Sequence, residues 1–125
     1  MSRAFALLLL VLATPPAFAQ ATQGGRPAYE TDLQRLSEIL GALHYLRGIC
    51  GANEGQKWRN EVLALIEAEA PAGERRARMI ASFNRGYRGF QQSYRTCTPA
   101  ADFAIRRYLE EGAKIARDIT ARYAN

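Results

Sequence analysis

Four stretches of this chain repeat their apolar residues at helical spacing, and nowhere do apolar and polar residues alternate as in a half-buried strand. β-branched residues are sparse. The pattern restricts the chain to packed helices. The first stretch runs from Thr31 to Ile49, with a stripe of Leu33, Leu36, Ile39, Leu40, Leu43 and Leu46. Thr31 with Gln34 fits a capping box, and Gly48 and Gly51 end the helix. The second runs from Glu54 to Ala70 behind Asn53 as N-cap, with Trp58, Val62, Leu65 and Ile66 on one face and Pro71 and Gly73 as the stop.

The third stretch, Glu74 to Tyr94, is rich in aromatics: Ile80, Phe83, Tyr87, Phe90 and Tyr94 share a face. Gly86 and Gly89 each cost about 1 kcal/mol relative to alanine, so they either admit a close neighbour or loosen the helix. The fourth, Pro99 to Tyr123, has Thr98 as its cap and Pro99 in the first helical position. Ile105, Tyr108, Leu109, Ile115, Ala116, Ile119 and Tyr123 face one way; Glu110 with Lys114 and Asp118 with Arg122 are spaced as i,i+4 pairs on the wet side. Short connections make neighbours antiparallel. The expected fold is therefore all-α, a small up-down four-helix bundle over residues 30–125.

Met1 to Ala19 reads as a secretory signal peptide. Arg3 is the positive start, Ala4 to Ala13 the apolar run, Thr14-Pro15-Pro16 the break and Ala17-Phe18-Ala19 the cleavage site. The run is too short to span a bilayer comfortably, and no cysteine follows it as in a lipoprotein. Residues 20–29 lack apolar periodicity and read as a flexible leader. No later stretch is long and apolar enough to cross a membrane. Export to the periplasm follows. In that compartment Cys50 and Cys97 are expected to form a disulfide. An up-down bundle puts them at the same end, at the finish of the first and third helices. Closing a loop of roughly 48 residues is worth about 4 kcal/mol in chain entropy.

Composition removes several activities. One histidine and two cysteines are too few for a zinc site of the usual kind, and no phosphate-binding glycine loop is present. No cofactor is implied. Any His-dependent catalysis would have to use His44, and no nucleophile or orienting acid stands at a diagnostic spacing from it. A compact bundle of this size leaves little room for the paired carboxylates of a glycosidase cleft, so no enzyme is expected.

The formal net charge is +5, and only Lys57 and Lys114 are lysines. Between Arg75 and Ala101 there are six arginines and no acid. At 100° per residue Arg78, Arg85, Arg88 and Arg95 lie on one face, opposite the aromatic stripe. Guanidiniums in a row suit phosphates or carboxylates. The plainer alternative is a solvated face whose charges meet Glu61, Glu67 or Glu69 of the second helix. A basic helical domain also suggests nucleic acid, but export argues against it. The polyanions outside the inner membrane are envelope phosphates, peptidoglycan carboxylates and acidic proteins.

A second cluster is expected near the cysteines: His44, Arg47, Trp58 and Tyr87. Arg47 projects into the apolar stripe of its own helix and needs a partner, for which Glu54 or a carbonyl near Cys50 is best placed. As a structural feature it locks the bundle end beside the disulfide. As a functional one it joins aromatics to arginine, the composition of binding hot spots.

The stretch from Leu36 to Cys97 resembles an uncharacterised family of small exported two-cysteine proteins of alphaproteobacteria, a domain of unknown function. The residues carrying the likeness are Leu43-His44-Tyr45-Leu46-Arg47, Cys50-Gly51, Trp58-Arg59, Phe83-Asn84-Arg85-Gly86-Tyr87-Arg88, Tyr94 and Cys97-Thr98. The resemblance implies a periplasmic, paired-cysteine helical domain and no particular activity. The leading expectation is a periplasmic binding or adaptor protein that takes an anionic envelope component or an acidic partner through the arginine-rich helix. The alternative is an enzyme inhibitor or a stress chaperone that exposes its aromatic stripe by loosening at Gly86 and Gly89.

Overall fold

The computed structural model describes residues 28–123; the expected signal peptide and nearly all of the expected leader lie outside the described residues. Four helices account for 82% of them, with no strand among them. Helix α1 spans Glu30–Ile49, α2 Lys57–Glu69, α3 Gly73–Ser93 and α4 Pro99–Tyr123. The arrangement is an all-α bundle closed by one disulfide.

Helix α1 is the hub. Each of the other three packs against it, whereas α2 and α3 touch only lightly. This explains why α1 is buried on more than one side, through Leu33, Ser37, Ile39, Gly41, Ala42, Leu43 and Leu46. Two apolar clusters result. Near the start of α1, Leu33 meets Val62, Ile66, Met79 and Phe83; near its end, Ile39, Leu43 and Leu46 meet Ala101 and Ile105.

The α1–α3 contact is made backbone to backbone. A Cβ at Gly41 would stand 1.9 Å from the Phe83 carbonyl oxygen, and one at Gly86 2.0 Å from that of Glu38. The buried serines Ser37 and Ser82 lie on the same two faces, small enough to keep the helices close. Ser37 returns its hydroxyl to the Leu33 carbonyl at 2.8 Å, so no polar group is stranded there. Gly89 faces open space. Of the two glycines of the third stretch, Gly86 therefore admits a neighbour and Gly89 does not.

Helix starts differ from expectation at two places. Thr31 lies inside α1, whose N-cap is Tyr29. Tyr29 is held instead by its hydroxyl, which donates to Glu69 at 3.1 Å. Asn53 lies in the α1–α2 loop with φ +49°, and α2 begins only at Lys57. The cause is Glu54, whose carboxylate turns back to accept from Arg47 and, at 3.4 Å, from the Trp58 indole. Gly51 and Gly55, both at positive φ, let the loop make that return. Thr98 caps α4 as expected, accepting from the Ala101 N–H at 3.1 Å.

Cys50 and Cys97 are bonded, with Cα atoms 4.8 Å apart. At the opposite end Arg75 of α3 grips the buried Glu30 of α1 at 2.9 Å. Midway, Arg35 holds Glu111 of α4 through two nitrogens at 2.8 and 2.9 Å. That bidentate bond keeps the Glu111 carboxyl below its usual range and raises the Arg35 guanidinium. No described helix is long and apolar enough to cross a membrane.

Candidate anion-binding site

The arginines of α3 divide into paired and unpaired groups. Arg75 is bound to Glu30, Arg76 to Glu67 at 2.7 Å, Arg78 to Glu74 at 2.9 Å and Arg85 to Glu38 at 3.2 Å. Glu61 takes no part. Arg88 and Arg95 make no ion pair with any described residue. Arg95 is not on the helix face either, because α3 ends at Ser93. Tyr94 is extended (φ −124°, ψ 119°), and its carbonyl accepts from the Tyr45 hydroxyl while the chain turns toward the disulfide. The expected row of four arginines thus reduces to Arg88 as the unpaired guanidinium on the helix.

Arg88 borders a cavity of about 300 Å³ between α2 and α3. Arg59 of α2 stands at the same cavity, also without an ion pair to any described residue, and His44 of α1, Tyr87, Asn84 and Gln91 line it too. No carboxylate lines it. The polar residues at its wall are two arginines, His44, Tyr87 and the neutral amides Gln56, Asn84 and Gln91.

His44 is half-buried, with its ring centroid 5.8 Å from Phe83 and 5.5 Å from Tyr87. Burial lowers its pKa, and the nearby charge of Arg59 lowers it further. The imidazole is therefore neutral near pH 7. Its neighbours are rings rather than a carboxylate, so it lacks the orienting acid that base catalysis uses.

A second cavity of about 400 Å³ shares His44 and Tyr87 with the first. Arg47 and Trp58 line it too, so all four residues of the expected cluster meet at one place. Arg47 is spent on Glu54 and lies 5.8 Å above the Trp58 ring, with the Lys57 ammonium at 5.0 Å from that ring. The Arg47 bond pulls the Glu54 carboxyl below its ordinary range. Tyr87 is in turn fixed edge-on by Tyr45 at 5.4 Å. The chemistry here is internally satisfied. The first cavity retains unmatched charge.

Two features lay beyond sequence reasoning. Arg59 is one, because its place on the same cavity as Arg88 depends on how α2 and α3 pack against α1. An apolar groove of about 340 Å³ lies between α2 and α4, with Leu36, Leu40 and Leu43 as its floor and Ala113 and Ala116 on one wall. The small residues of α4 were the available signal for it. Cys50, Cys97 and Asp102 are close enough together to share a metal, but both sulfurs are bonded to each other.

A family model described as protein of unknown function (DUF2385) matches residues 28–123. The chain belongs to this family. No curated protein and no solved structure matches it. The DUF2385 match spans all four helices, so both cavities and the disulfide lie inside the region that defines the family domain.

Proposed function

We propose that this DUF2385 protein is an exported, periplasmic binding module, rather than an enzyme, that takes an anionic group between α2 and α3. The observation that carries the reading is the cavity bordered by both Arg59 and Arg88 with no carboxylate among its described lining residues. Four of the α3 arginines are already neutralised by glutamates, so binding by the whole helix face has less support than binding at Arg88. The signal-peptide pattern, the disulfide and the likeness to small exported two-cysteine proteins of alphaproteobacteria support the location. An anionic envelope component and an acidic partner protein both carry the required group. The close seating of Gly86 on α1 weighs against a chaperone that loosens there.

The test is binding of the oxidised chain from Gln20 onward to acetate, phosphate and an acidic peptide, read by NMR shift changes at low salt. Shifts at Arg59 and Arg88 that disappear in Arg59→Glu/Arg88→Glu, and that weaken with salt, support the reading. Equal responses from both proteins sink it.

A further inference from the structure

The cavity between α2 and α3 offers more donors than a carboxylate has oxygens to use. A carboxylate presents two oxygens in one plane, which a single guanidinium fork satisfies. Here two forks come from different helices, Arg59 from α2 and Arg88 from α3, with the half-buried His44 of α1 on the same wall. A phosphate monoester has three free oxygens in a tetrahedral arrangement and carries about −1.5 to −2 at pH 7. It can occupy two forks and an imidazole together. A diester has only two free oxygens and a single charge.

We infer that this cavity is a phosphate-monoester site in which Arg59 and Arg88 supply fixed charge and His44 supplies a third, proton-dependent donor. The inference rests on the anion-binding reading above and narrows it to a ligand class and a regulation by pH. The groups facing His44 are few. Arg59 approaches from α2 and Tyr87 from α3, and Arg88 of α3 borders the same cavity. In the adjoining cavity Tyr45 and Arg47 belong to α1 and Glu54 to the loop, and the last two neutralise each other. Helix α4 contributes no residue to either cavity. Among the described residues lining the two cavities, no carboxylate is therefore free to hold a proton on His44. A dianion seated against it provides that stabilisation. By linkage, phosphate raises the His44 pKa, and lower pH tightens phosphate binding. The gain ends near pH 6, where the phosphate takes up its own second proton.

His44 is the only histidine, so its imidazole signal in a proton NMR spectrum of the oxidised chain needs no sequential assignment. The experiment follows that signal through a pH titration in chloride, acetate and glycerol phosphate, a monoester that is still largely dianionic where His44 begins to titrate, at one ionic strength. The expected result is a midpoint raised by about one unit in glycerol phosphate alone, equivalent to a roughly tenfold tighter complex with the protonated form. His44→Gln retains phosphate binding at alkaline pH and loses its pH dependence. Arg88→Gln loses the shift while its far-UV spectrum and thermal midpoint stay those of the parent. A midpoint identical in glycerol phosphate and acetate overturns the phosphate site. If both ions are then lost in the Arg59/Arg88 charge reversal, the broader anion reading survives; if neither ion ever bound, both fall. Glycerol phosphate and vesicles containing phosphatidic acid or phosphatidylglycerol separate the sources. Binding of soluble and lipid monoesters without the diester lipid supports the class, and preference for the diester overturns it.

Discussion

Gly86 of α3 and Glu38 of α1 meet backbone to backbone, with room for no methyl group between them: a Cβ at residue 86 would stand 2.0 Å from the Glu38 carbonyl oxygen. A carbonyl within a helix cannot swing aside as a flexible side chain does. Gly86→Ala must push the two helices apart, and is expected to cost about 1–3 kcal/mol even though alanine is the better helix former. Gly89 faces open space three residues later. Gly89→Ala is expected to gain up to about 1 kcal/mol. Urea unfolding of the two oxidised variants checks this; shifts of the same sign would refute the close contact as the cause.

The disulfide closes α1 to the start of α4 across a chain separation of 47 residues. Replacing both cysteines by serine should lower stability by about 4 kcal/mol, because the unfolded chain regains the freedom the bridge removes. The same measurement in reductant should match the double variant. A fall of less than about 1 kcal/mol would show that loop closure contributes little to this fold.

The number and type of the helices were legible because apolar spacing survives whatever packs against it. The shared position of Cys50 and Cys97 followed from helix count alone. The hub role of α1 was less visible: its leucine stripe marks one face, whereas α3 comes closest at Gly41 and Ala42, which carry no apolar signal of comparable size. Both displaced caps have one origin, a competing partner. Thr31 and Asn53 fit local capping rules, but Tyr29–Glu69 and Arg47–Glu54 set where the helices begin. On α4, Lys114 turns to Asp118 at 2.7 Å instead of to Glu110. His44, Arg47, Trp58 and Tyr87 converge as expected from the topology. That Arg59 and Arg88 border one cavity depends on inter-helix geometry that periodicity does not encode.

Arg47 and Glu54 are both partly shielded, with side chains 30% and 17% exposed. Removing one partner leaves the other charge poorly solvated, so Glu54→Gln should cost more than Glu54→Gln/Arg47→Met. The double-mutant cycle is expected to show a coupling on the order of 1–2 kcal/mol. The pH dependence has a defined sign. Folding lowers the Glu54 pKa below its ordinary 4.5, so its contribution is complete above that value and is lost as pH falls through the folded-state value. Wild type and Glu54→Gln should therefore converge in stability as acid is added. Parallel curves down to the acid transition would exclude this pair as a source of acid sensitivity.

His44 acts in the same direction at higher pH. Its pKa in the folded chain lies below 6.5, so the unfolded chain binds the proton first. Stability should be level above about pH 7, then decline as pH falls through 6.5 toward the folded-state value, below which the loss is complete. His44→Gln should remove this decline and leave the Glu54 one, separating the two by their pH windows. Glycerol phosphate supplies a decisive contrast. If it seats against His44 as inferred, the folded-state pKa rises, and the decline shrinks or reverses in glycerol phosphate but not in acetate. Thermal midpoints of wild type and His44→Gln across this range, in both ions, measure it directly. A decline that persists unchanged in glycerol phosphate would mean that His44 is a buried aromatic neighbour of Phe83 and Tyr87 and no part of a ligand site.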